Sequence, residues 1–84
     1  MTVLTLYSTS GCGLCERLLD ILLSLPEAAG YQLQVVDVAY DEGLLASYGE
    51  LIPVLGFGSG ASFQRYTGPL ESEPLGEWLS RGIG

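Results

Sequence analysis

Leu6-Tyr7-Ser8-Thr9-Ser10-Gly11-Cys12-Gly13-Leu14-Cys15-Glu16-Arg17-Leu18-Leu19 is the stretch on which the fold of this chain turns. Its first residues complete a run of strand formers, Val3-Leu4-Thr5-Leu6-Tyr7, whose near-continuous apolar character points to burial on both faces of a sheet. Ser8 to Gly11 then supply turn chemistry. From Cys12 onward the period changes. Cys15, Leu18, Leu19, Leu22 and Leu25 recur at helical spacing, opposite a stripe of Glu16, Asp20, Ser24 and Glu27. Pro26 and Gly30 bring that helix to an end. A strand therefore hands over to a helix at a pair of cysteines separated by two residues.

Working outward, Gln32 to Val38 reads as a second strand. Asp41 is placed to cap a short helix that carries Leu44, Leu45 and Tyr48 inward, with Gly49 as its C-terminal stop. Beyond Ile52-Pro53, Val54 to Phe57 and Ser62 to Tyr66 read as two strands joined at a Gly58-Ser59-Gly60 hairpin turn. Gly68-Pro69 punctuates the chain again. Ser72 then caps a last helix, with Pro74 in its permissive first turn and Leu75, Trp78 and Leu79 on one face. The order is β-α-β-α-β-β-α. A helical crossover makes the first two strands parallel, and a short loop makes the last two antiparallel. The expectation is an α/β layered domain with a four-stranded mixed sheet, its ligand edge at the end of the first strand.

Composition narrows the chemistry. The 84 residues suffice for one domain and one core, and 48% are apolar against 15% charged, the balance of a globular chain. The greasiest stretch, Leu18 to Leu25, is broken by Asp20 and Ser24 and is too short to span a membrane. Met1-Thr2-Val3-Leu4 carries no basic residue and no cleavage-like site, so a soluble cytoplasmic protein is expected; a monomer is expected as well. Ten carboxylates face three arginines, with no lysine or histidine and a net charge of −7. That charge repels phosphate backbones and argues against nucleic acid as a partner. Without histidine the usual neutral-pH proton shuttle is missing. Two cysteines do not complete a tetrahedral metal site either, so no metal is expected. Thiols are what remains.

Two intervening residues at a helix start bring Cys12 and Cys15 within disulfide reach. Cys12 lies beside the free N–H groups of the helix, whose donors and dipole stabilise the nucleophilic thiolate. Cys15, one turn in and on the apolar stripe, is the more buried thiol and the one to resolve a mixed disulfide formed at Cys12. The competing reading is a structural disulfide or two inert buried thiols; a cytosolic compartment argues against the first, and a glycine-flanked turn against the second. Tyr7, at the end of its strand, either lines this site or simply packs. Asp37 is read as a solvated strand end rather than a proton relay, Arg17 as pointing to solvent, and Trp78 as core.

The stretch Leu6 to Cys15 resembles the opening of glutaredoxin-like proteins of the thioredoxin superfamily, most of all short bacterial members with a Cys-x-Leu-Cys motif. Val36-Asp37-Val38, Asp41 through Tyr48-Gly49, and Ile52-Pro53-Val54-Leu55 follow that family in order and spacing, from about Val3 to Leu79. The resemblance implies a thioredoxin-like, glutaredoxin-type fold and thiol–disulfide oxidoreductase activity on protein or small-molecule disulfides, with Cys12 and Cys15 as the catalytic pair. It also implies that Ile52-Pro53 holds a cis bond facing the dithiol, where the residues alone equally fit a trans proline opening an edge strand. Ile52, Pro53, Tyr7 and Gly11 are then the expected substrate contacts. No resident cofactor is implied. The reductant is glutathione, a possible co-substrate, or a flavoprotein reductase. Glutathione-using members also carry a lysine before the motif, a tyrosine in or beside it, and a glycine pair followed by an acid before the last helix. This chain has Ser10-Gly11, Gly13-Leu14 and Gly68-Pro69-Leu70-Glu71 in those places. Two other classes stay open: a partner-binding module with a redox-sensitive cysteine pair, and two chains sharing an iron–sulfur cluster through Cys12.

Overall fold

The structure, a computed structural model, describes residues 2–58 and 62–83. Its elements run β1 (Thr2–Ser8), α1 (Gly13–Ser24), β2 (Tyr31–Asp37), α2 (Glu42–Tyr48), β3 (Val54–Phe57), β4 (Gln64–Arg65) and α3 (Ser72–Ile83), with 3₁₀ turns at Pro26–Gly30 and Val38–Tyr40. The four strands form one mixed sheet in the order β2-β1-β3-β4. β1 pairs in parallel with β2 and antiparallel with β3, and β3 pairs antiparallel with β4.

Strand alternation sorts the side chains into two layers. Leu4 and Leu6 of β1, Leu55 and Phe57 of β3 and Tyr31 of β2 join Leu18 and Leu22 of α1 and Leu75 and Leu79 of α3 in one buried cluster. On the other face Tyr7 stacks on Tyr48 of α2, ring centroids 4.6 Å apart, and tilts against Phe63. Gly56 sits under the Phe63 ring, where a Cβ has no room. The Tyr31 hydroxyl donates to the Leu79 carbonyl at 2.7 Å, a buried bond that ties the edge strand β2 to α3.

Several boundaries differ from the sequence reading, each for a local reason. The second strand covers Tyr31–Asp37 rather than Gln32 to Val38, because the Asp37 carboxylate accepts from the Ala39 N–H at 2.9 Å and turns the chain. The first helix ends at Ser24, with Leu25 as its cap before the proline. Asp41 does cap α2, accepting from the Leu44 N–H at 3.0 Å. Gly49 ends that helix in the right-handed region, φ −54°, so no left-handed glycine stop is used. Leu44 and Tyr48 are half-buried, but Leu45 is exposed. The fourth strand is only Gln64–Arg65; Ser62 and Phe63 leave the ladder as the Phe63 ring turns onto Gly56, while the Tyr66 N–H still reaches the Leu55 carbonyl at 2.7 Å. Of the expected hairpin turn, Ser59 and Gly60 lie outside the described residues, and Gly58 has a positive φ of 91°. Ser72 is the first residue inside α3 rather than its cap.

Candidate active site

Sheet register decides which loops meet. Ser8 of β1 lies beside Asp37 of β2, and Tyr7 beside Val54 of β3. One end of the sheet therefore gathers the loop before Cys12, the turn after Asp37 and the Ile52-Pro53 approach to β3. Gly11 makes the turn into the motif with φ +78°. A Cβ at Gly11 would touch nothing within 4 Å, so the glycine is required by backbone conformation and not by space. Gly11→Ala is accordingly expected to lower stability by about 1 kcal/mol, from left-handed strain alone. Urea denaturation measures this, and alkylation of reduced Cys12 reports whether the strained turn displaces the thiol.

Cys12 is the N-cap of α1, with extended backbone at φ −86° and ψ 102°. In the place where a serine or aspartate oxygen usually sits, its Sγ accepts from the Cys15 N–H at 3.2 Å. The Cys12 carbonyl accepts from Glu16 at 3.1 Å and starts the helical ladder. The two cysteines are paired as a disulfide, Cα atoms 5.2 Å apart. Their surroundings differ. Cys12 is half-buried, whereas Cys15 is 3% exposed and joins Leu18 and Leu22 on the inner face of α1. Leu14, between them, is 57% exposed. Glu16 lies in the first turn, and Arg17 is exposed.

Pro53 follows a cis peptide bond and is half-buried. It lines a cleft of about 170 Å³ together with Leu18, one turn beyond Cys15, and with Leu55 and Leu70. Arg65, Tyr66, Thr67 and Gly68 complete the wall. The Tyr66 hydroxyl donates to the Pro69 carbonyl, which closes the Tyr66–Leu70 loop on itself. Burial raises the Tyr66 pKa, with the nearby Glu71 carboxylate adding to the shift, so the hydroxyl stays protonated as a donor. Tyr7 is likewise raised by burial and then by Tyr48. Among the described residues, no group of three or more His, Cys, Asp or Glu could hold a metal ion.

A family model described as Glutaredoxin-like domain (DUF836) matches residues 3–80. The chain belongs to that family. The fold of this glutaredoxin-like chain also matches the X-ray structure of target protein XcR50 from X. campestris, with a TM-score of 0.73 and 26% identity, over 94% of this chain and 97% of that one. No curated protein matches it. The α/β architecture with its four-stranded mixed sheet is thus thioredoxin-like, as the sequence implied.

In this glutaredoxin-like domain the expected site residues divide by position. Gly11, Cys12, Cys15 and the Ile52-Pro53 bond stand on the segments that converge at one sheet end. Tyr7 is held between Tyr48 and Phe63 on the α2 face, the packing alternative, rather than in the Pro53 cleft. Asp37 is half-buried and engaged with Ala39. Trp78 is only half-buried, its ring tilted against Phe57 and Tyr66 at the rim of the core. Sequence reasoning missed Arg65, Tyr66 and Thr67, and weighed Gly68-Pro69 only as punctuation and as a departure from the glutathione-using pattern. The aromatic-polar-Gly-Pro-apolar run Tyr66 to Leu70, just before a helix, was the available signal.

Proposed function

We propose that this chain is a dithiol–disulfide oxidoreductase. The Cys12 thiolate attacks one sulfur of a substrate disulfide, and the other substrate sulfur leaves as a thiolate. Cys15 then attacks the Cys12 sulfur of the mixed disulfide, expelling the second substrate thiolate and leaving the Cys12–Cys15 disulfide. Two electrons pass from the dithiol to the substrate, and solvent protonates the two released thiolates. Glutathione or a flavoprotein reductase returns the dithiol. The scheme uses no resident cofactor and suits a monomer in a reducing compartment such as the cytoplasm.

The observation that carries this reading is the asymmetry of the pair. Cys12 is the accessible cap of α1 and already accepts an N–H bond at sulfur, while Cys15 is 3% exposed. A structural disulfide needs no such difference. Leu14, 57% exposed inside the motif, favours a second reading, in which a partner docks on this loop and the cysteine pair acts as a latch. Turnover separates the two. Reduced protein is expected to consume hydroxyethyl disulfide catalytically when supplied with glutathione and its reductase or with a flavoprotein disulfide reductase. Stoichiometric oxidation of the dithiol with no turnover under either regime would overturn the enzymatic reading.

A further inference from the structure

The Pro53 cleft does not end at Gly68. A second cleft, of about 270 Å³, shares Arg65, Tyr66, Thr67 and Gly68 with it and continues over Pro74, Trp78 and Arg81 of α3. The two form one groove with a change of character along it. Leu18, Pro53, Leu55 and Leu70 make an apolar end beside the dithiol helix, Arg65 and the Tyr66 ring stand on the stretch common to both clefts, and Trp78 and Arg81 mark the far end. Each cleft alone falls short of the roughly 300–1,000 Å³ of an enclosing small-molecule pocket. Their combination suits an extended chain.

Charge identifies what kind. The protein carries ten carboxylates and three arginines, yet two of those arginines stand on this one groove. Among the described residues Arg65 has no carboxylate within ion-pair distance. Among those same residues Arg81 pairs with Glu77 alone, one helical turn away at 3.9 Å, with both side chains about 70% exposed (71% and 68%). Such a pair is weak and easily exchanged for a ligand carboxylate. Among the described residues Glu77 is the acid on the groove wall, and Glu71 lies near the Tyr66 hydroxyl. In a chain of net charge −7, two of the three arginines thus stand on a wall that carries one carboxylate, Glu77. Tyr66 is held by its bond to the Pro69 carbonyl, so the groove's middle is already formed.

The geometry points to a substrate-specificity site: the groove from Pro53 to Arg81 receives an extended, acidic segment of the disulfide-bearing protein, its apolar side chains along Tyr66 and Trp78 and its carboxylates on Arg65 and Arg81. This deepens the oxidoreductase reading by naming the substrate class, and it is tested without thiol chemistry. Trp78 is the single tryptophan of the chain and lines the groove, so its fluorescence reports occupancy directly.

The oxidised full-length protein is titrated with three probes that contain no reactive thiol: acetyl-Gly-Phe-Glu-Glu-Phe-Gly-amide, its Lys-Lys counterpart, and S-methylglutathione as a small anion. The acidic peptide is expected to change Trp78 emission saturably and to bind at least about fivefold more tightly than the lysine peptide. Added salt weakens it. Arg65→Gln and Arg81→Gln each weaken it by about fivefold, with unchanged far-ultraviolet circular dichroism. Equal binding of the two peptides, indifference to both arginine changes, or no saturable response overturns the proposal. Arginine-dependent saturation by S-methylglutathione but not by the acidic peptide also overturns it, in favour of a small-anion site. Because none of these probes can undergo exchange, failure here leaves the Cys12–Cys15 chemistry standing, and failure of turnover leaves this result readable.

Discussion

Cys12→Ser is expected to abolish disulfide reduction, by at least about a thousandfold, whereas Cys15→Ser retains attack and stalls with substrate attached. The split follows from access and local donors. Only a thiolate attacks a disulfide, and the attacking sulfur must reach the substrate sulfur. In the proposed scheme Cys12 is the sulfur that reaches substrate, half-buried at the cap of α1, where its Sγ accepts the Cys15 N–H at 3.2 Å. Serine at position 12 keeps that hydrogen bond but offers an alcohol that is not ionised at neutral pH. Cys15, 3% exposed on the inner face of α1, would in that scheme meet substrate only after Cys12 has brought it in. A Cys15→Ser chain therefore forms a mixed disulfide that nothing within the chain resolves. Mass spectrometry of each variant after exposure to a disulfide peptide gives the answer. An adduct on Cys12→Ser and none on Cys15→Ser would reverse the two roles.

Features of this fold are legible in the amino-acid sequence where their signal is local. The strand–turn–helix passage through Cys12 announces itself in a switch from a near-continuous run of strand formers to helical spacing, and both sides of that switch hold in β1 and α1. Asp41 is readable as a cap because an N-cap bond needs only residues three apart, and Leu44 supplies the donor. The edges of elements are less so. The second strand looks as if it runs on to Val38 until the Asp37 carboxylate is seen bonding Ala39, and Ser62–Phe63 look like strand until the Phe63 ring is seen against Gly56. The groove escapes the sequence for a different reason. Arg65, Tyr66, Trp78 and Arg81 come from β4, the following loop and α3, and no periodicity records that they face one another. Tyr7 shows the same limit in reverse: its position beside the motif suggests the site, while its ring is taken up by Tyr48.

Leu22→Ala is expected to cost about 2–4 kcal/mol of stability and Leu23→Ala no more than about 0.5 kcal/mol, although the two residues are neighbours on the same helix. Leu22 is 3% exposed and belongs to the cluster with Leu4, Leu6, Leu55 and Leu79; Leu23 is 71% exposed. Truncating Leu22 removes buried methyl groups and leaves a space that the surrounding sheet and α3 fill only in part. Truncating Leu23 removes little buried surface, and alanine's higher helix propensity offsets part of what is lost. For a single small domain, the first loss is a large share of a total of about 5–15 kcal/mol. It also falls on the helix that carries both cysteines, so reduced Leu22→Ala is expected to expose Cys15 to alkylation at lower urea than the wild type. Urea melts of the two variants, with Cys15 alkylation followed alongside, decide the matter. Equal midpoints for Leu22→Ala and Leu23→Ala would show that α1 does not present the face assigned to it, and the burial of Cys15 would fall with that assignment.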